Sequence, residues 1–95
     1  MKTAVVIITF NRPQLTQKVF EVIKNIQPPE LLLISDGQRN NKEVGLINQT
    51  RNIITQVNWP CKIHKKFEPK NLGCKKAVES GLEWVFSKVE QAIIL

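Results

Sequence analysis

Apolar positions along this 95-residue chain fall into two alternating kinds of run. The first kind is short and unbroken. Ala4 to Thr9 is apolar or β-branched at every position, and Leu31 to Ile34 and Ala92 to Leu95 repeat the pattern. Unbroken runs of this length predict strands covered on both faces. The second kind is periodic. Leu15, Val19, Val22, Ile23 and Ile26 recur at helical spacing, as do Val44, Ile47, Ile54 and Val57, and then Cys74, Ala77, Val78, Gly81, Leu82 and Val85. Between the last two helical stripes, Cys61, Ile63, Lys65 and Phe67 alternate with Lys62, His64 and Lys66. Period two predicts a strand with one wet face, hence an edge strand. The punctuation agrees. Asn11 suits the N-cap of the first helix, with Pro13 tolerated in its first turn, and Pro28-Pro29 ends it. Asn40 or Asn41 suits the start of the second helix, and Trp59-Pro60 closes it.

The resulting order is β-α-β-α-β-α-β. Crossover helices between successive strands imply a mostly parallel sheet with helices on both faces. The predicted fold class is therefore α/β: a three-layer α/β/α, Rossmann-like half with a parallel sheet of about four strands in the order 3-2-1-4. The third strand then lies at one edge and the fourth at the other. The unbroken apolar run of the fourth strand suits an interior position, and a flat apolar edge invites pairing with another chain. The expectation is that more sheet follows Leu95, and that an uncovered fourth strand would self-pair across a two-fold axis.

Composition narrows the setting. The apolar fraction of 42% is ordinary for a globular chain. The net charge is +6, and six lysines with His64 fall between Lys62 and Lys76 against one acid, Glu68. Such a cluster is either a solvated face or a site for phosphate or nucleic acid. The aromatics are few and not interleaved with the basic residues, which weighs against a nucleic-acid module. A bare α/β structural or interaction module is the other alternative. Cys61 and Cys74, with a single histidine, fit neither a Cys-x-x-Cys pair nor a zinc set. They read as free thiols in a reducing compartment, hence a cytoplasmic chain. The opening "MKTAVVIITFNRP" imitates a signal peptide, but the apolar run is short and Asn11-Arg12-Pro13 breaks it. No stretch is long enough to cross a membrane.

Open parallel sheets bind ligands beyond the carboxyl ends of their strands. Three loops emerge there: "TFNRP", "SDGQRN" and "FEPKNLGCKK". Asp36-Gly37 is either an ordinary turn or a carboxylate placed to accept hydrogen bonds from a base or ribose. "NLGCKK" opens the third helix, whose free N–H groups favour anions. Gly73 allows close backbone approach there, and Lys75 and Lys76 add charge. The alternative is a plain capped helix with exposed lysines. The chain has no G-x-G-x-x-G after its first strand and no Walker motif, which argues against a dinucleotide-dependent dehydrogenase and a P-loop NTPase.

Taken in order, "VVIITFNRP", "LLISDG", "FEPKNLGCKKAV" and "AIIL" resemble the N-terminal half of nucleotide-sugar glycosyltransferases of the GT-A fold, in a family-2-like group. The resemblance covers essentially the whole chain. It implies that Thr9, Phe10, Asn11 and Arg12 line the base and ribose side of a donor pocket. Asp36 matches the carboxylate that reads the base, uracil in uridine-nucleotide users, and Gly37 belongs to that turn. Asn71 and Gly73 match the loop near the ribose and diphosphate, with Lys75 or Lys76 near the phosphates. Many members carry an asparagine two residues after the alanine matched by Ala77; here that position is Glu79, and the role is not carried over. The resemblance also implies a donor of the UDP-sugar type. It places the Mg²⁺- or Mn²⁺-binding acidic motif, the acceptor site and any catalytic base after the strand matched by "AIIL". By this reading the chain contains no catalytic residue and no metal ligand. It is a nucleotide-binding half, inactive alone, whose partner is the rest of a parent enzyme.

Overall fold

The computed structural model describes residues 3–95. Four strands and three helices alternate: β1 (Ala4–Thr9), α1 (Pro13–Ile26), β2 (Glu30–Ser35), α2 (Val44–Ile54), β3 (Lys62–Phe67), α3 (Cys74–Lys88) and β4 (Ala92–Ile94). A short 3₁₀ turn, Asn41–Glu43, leads into α2. All three strand pairings are parallel, and the order is β3-β2-β1-β4, as the alternation of patterns predicts. Among the described residues, no helix is long and apolar enough to cross a membrane.

The unbroken apolar strands are explained by double coverage. On one face, Val5, Ile7, Leu31 and Leu33 pack with Phe20 and Ile23 of α1, Ile54 of α2 and Trp59. On the other, Ala4, Val6, Leu32 and Ile34 pack with Val85 of α3. Each fully buried Leu, Ile or Phe side chain contributes roughly 1.5–3 kcal/mol, so alternate residues of β1 and β2 stabilise two layers at once. Gly81 lets α3 lie close to the sheet: a Cβ there would stand 3.0 Å from Cδ1 of Ile34.

Four local expectations need correction. In α1 the sheet buries Thr16, Phe20 and Ile23, with Val19 half-buried, while Leu15, Val22 and Ile26 remain exposed. Two adjacent apolar stripes run along this helix, and only one of them meets the sheet. The N-cap position of α1 is Arg12, not Asn11, and among the described residues no side chain caps it. The Asn11 amide is engaged elsewhere, donating to Glu43 Oε2 at 2.9 Å. In α2 the helix stops at Ile54, so Val57 reaches the core from the following loop. Finally, β3 has no simple wet face. His64 and Lys66 are half-buried, whereas Ile63 is 38% exposed. His64 Nε2 lies 2.6 Å from Glu30 Oε2 with its ring edge-on to Trp84, and Lys66 pairs with Glu68, so polar partners cover that face.

Trp59-Pro60 does not close α2, which already stops at Ile54, whereas the signals at Asn40 and at Pro28-Pro29 work as the sequence implies. Asn40 accepts a hydrogen bond from the Lys42 N–H and starts the turn into α2. Gln27 ends α1 in the left-handed region (φ 51°) and donates its N–H to the Ile23 carbonyl. Pro28 and Pro29 then prevent continuation, and Trp59 Nε1 donates to the buried Pro28 carbonyl at 2.9 Å.

Candidate functional site

Beyond the carboxyl ends of β1, β2 and β3 the connecting loops are fastened to one another. Gly37 is required by space: a Cβ there would sit 2.6 Å from the Lys70 carbonyl carbon and 2.8 Å from the Glu68 oxygen. Real Cβ atoms do not approach backbone so closely, and the loop after β2 touches the loop after β3 only because this residue lacks one. Asp36 completes the junction. Its Oδ1 accepts from Gly37 N at 2.8 Å and Leu72 N at 2.9 Å. Asn71 Nδ2 donates to Asp36 Oδ2 and to the Gly37 carbonyl, both at 3.0 Å.

Arg51 of α2 locks the same junction from behind. Its Nε donates to Ser35 Oγ at 2.8 Å and its Nη2 to the Glu68 carbonyl at 2.7 Å, with the guanidinium 4.9 Å from the Phe67 ring centre. Burial lowers the Arg51 pKa from its ordinary value, opposed by the nearby carboxylates of Asp36 and Glu68. Thr9, at the end of β1, donates its hydroxyl to the Ile34 carbonyl at 3.0 Å. These bonds hold three strand ends in one rigid rim.

The rim encloses a cavity of about 370 Å³ on the α3 side of the sheet. That is within the range of about 300–1,000 Å³ usual for small-molecule sites. Its apolar wall is Ile8, Ala77 and Val78; its polar wall is Thr9, Asp36, Asn71 and Gly73; Phe10, Arg39 and Cys74 complete it. Gly73, at φ 88°, turns the chain into α3, and among the described residues no side chain caps that helix. The first N–H groups of α3 are thus free to meet an anion.

Of the ten residues singled out from the sequence, Thr9, Phe10, Asp36, Asn71 and Gly73 line this cavity, and Gly37 shapes its rim. The other four do not. Asn11 and Arg12 line an open cleft of about 840 Å³ between α1 and α2, and they join Thr9 and Phe10 around a smaller hollow of about 270 Å³ that Leu95 also lines. Lys75 and Lys76 are exposed on α3, and the Lys75 side chain lies 4.0 Å from Glu79, one helical turn on. Helix geometry carries both lysines outward from the rim. The wider lysine cluster is dispersed in the same way, since Lys65 and Lys66 leave β3 on opposite faces.

Five lining residues were not among those ten: the apolar Ile8, Ala77 and Val78, and the two with reactive or charged groups, Cys74 and Arg39. Arg39 is held by Glu43: Nη2 donates to Oε2 at 2.6 Å, Nε lies 3.1 Å from both carboxylate oxygens, and the Arg39 backbone N–H donates to Oε1 at 2.8 Å. The guanidinium carbon lies 5.4 Å from the Phe10 ring centre. The side-chain and backbone hydrogen bonds from Arg39, with the amide of Asn11, hold the Glu43 pKa at about 2, despite its desolvation. The signal was present in "RNNKE", an arginine four residues before a glutamate.

Comparison with protein-family models, curated proteins and solved structures finds no match to this chain.

Proposed function

We propose that this chain is the nucleotide-binding half of a GT-A-type glycosyltransferase whose donor is a nucleoside-diphosphate sugar of the UDP type. The observation that carries the reading is the convergence of Thr9, Phe10, Asp36, Asn71 and Gly73, from three loops, on one cavity at the carboxyl edge of a parallel sheet. A planar base fits against the apolar wall, with Asp36 Oδ2, which accepts one hydrogen bond from Asn71, as its polar partner. The uncapped start of α3 supplies N–H groups for an anion at the same cavity. Two free thiols, Cys61 and Cys74, fit a reducing, cytoplasmic setting.

The donor set of this cavity does not fit a divalent cation. Asp36 is its one lining carboxylate among the described residues, and that group already accepts three hydrogen bonds. Mg²⁺ or Mn²⁺ belongs to the proposed parent enzyme, and UDP binding by this chain is expected to be indifferent to either ion. The partner proposed for the open edge of β4 is the remaining sheet of that enzyme.

Cys74 provides the test. It is exposed and lines the cavity, so bound UDP should slow its alkylation by iodoacetamide, and amide shifts should cluster at Thr9, Phe10, Asp36, Asn71 and Gly73. Unchanged alkylation and no amide response at millimolar UDP would defeat the proposal. Tight, steeply salt-dependent binding of a short oligonucleotide instead would favour a nucleic-acid module.

A further inference from the structure

We infer that Arg39 is the phosphate-contacting residue of this cavity and that Glu43 positions it. The inference rests on the nucleotide reading above. Lys75 and Lys76 stand in the sequence where phosphate contacts are expected, yet both are turned away from the rim, and the Lys75 side chain is 90% exposed. Among the described residues, Arg39 is the one cation that lines the cavity.

Its restraint is specific. Arginine side chains are long and lose rotamer freedom when they engage a ligand. Here that loss has already occurred, because Glu43 engages Nε and Nη2 while Phe10 lies beneath the guanidinium. Glu43 is itself fixed by Asn11 at 2.9 Å and by the Arg39 N–H at 2.8 Å. The contacts to Glu43 use one edge of the guanidinium and leave the Nη1 edge for another acceptor. A planar fork with a free edge matches phosphate oxygens.

Depth assigns phosphate to Arg39 and the base to Asp36. The Arg39 side chain is 61% exposed, at the mouth, whereas Asp36 is 6% exposed, at the base. A neutral ring tolerates the enclosed end, and charged oxygens stay partly hydrated at the open one. The Arg39–Glu43 pair is neutral as a whole. Its contribution is therefore that of directed, charge-assisted hydrogen bonds, on the scale of about tenfold in affinity.

Titration of uridine and UDP in parallel against the wild-type chain, Arg39→Gln and Glu43→Gln tests this. The wild type should bind UDP more tightly than uridine. Arg39→Gln should weaken UDP about tenfold and leave uridine unchanged, and Glu43→Gln should weaken UDP in the same direction by less. Arg39→Lys, which keeps a charge but not the fork, should fall between wild type and Arg39→Gln. Equal losses for uridine and UDP in Arg39→Gln, or no loss for either, would overturn the role assigned to Arg39. So would a wild type that binds the two ligands equally, which leaves the nucleotide reading standing. A wild type that binds neither removes the nucleotide reading itself, and this inference with it.

Discussion

Ile63 and Ile93 occupy matching positions on the two outer strands, β3 and β4, and both are exposed, at 38% and 43%. Their surroundings differ. Ile63 stands among Lys62, His64 and Lys65, and the ends of its strand are tied down by His64–Glu30, Lys66–Glu68 and the loop contact at Gly37. Ile93 stands beside Ile94 and Leu95, which are 45% and 43% exposed. Leu95 shares a hollow with Leu15 and Val19 of α1, so apolar surface continues from strand to helix. Charged side chains on an outer strand oppose pairing with another chain, and a bare apolar strand invites it. The β3 side is therefore finished as an outer edge. The β4 side has the chemistry of an interior strand.

The largest effect should come from the finished side. Gly37→Ala forces a Cβ into the Lys70 backbone and should cost about 1–3 kcal/mol, the usual range for overpacking, read as a lower urea midpoint. If stability is unchanged, the two loops are not in the contact described. Arg51→Met should follow at about 1–3 kcal/mol, because it leaves the Glu68 carbonyl and Ser35 hydroxyl without their donor. A smaller loss than that of Lys65→Ala, an exposed edge lysine, would remove Arg51 from the account.

The open side should respond in association rather than in stability. The wild-type chain should self-associate in sedimentation velocity as concentration rises. Ile93→Lys should shift it toward monomer with a stability change within about ±0.5 kcal/mol. Ile63→Lys is the matched control and should leave association untouched. Equal behaviour of the two variants would erase the distinction between the edges.

The smallest effect concerns Glu43, at the seam between the sides. Its folded pKa of about 2 lies below the ordinary 4.5, so its contribution is fully present above pH 4.5 and is lost as pH falls toward 2. The Arg39 amide resonance should therefore titrate near pH 2. A midpoint near 4.5 would mean that Arg39 does not hold it.

Much of the fold was legible because burial writes a period into the chain. β1 and β2 are covered on both faces and must be apolar throughout, so their runs are unbroken and their parallel pairing follows from the helices between them. The α1 stripe misled because that helix carries two apolar rows, and periodicity does not say which row meets the sheet. Phe20 belongs to the buried row and Leu15 to the bare one. The candidate site divides similarly. Asp36, Asn71 and Gly73 stand where turn chemistry concentrates polar residues, and the loops after the adjacent strands β2 and β3 bring them together as the strand order requires.

The sequence by itself thus determined the α/β class, the strand order and the sheet edge at which polar loops gather, since each follows from local spacing and chain handedness. Direction was decided only in three dimensions. Helix geometry turns Lys75 and Lys76 away from the cavity, the turn after β1 leaves Arg12 in the cleft beside α1 and outside the cavity, and Glu43 swings Arg39 over Phe10. A charge can be counted in a sequence, but where its side chain ends depends on partners distant along the chain.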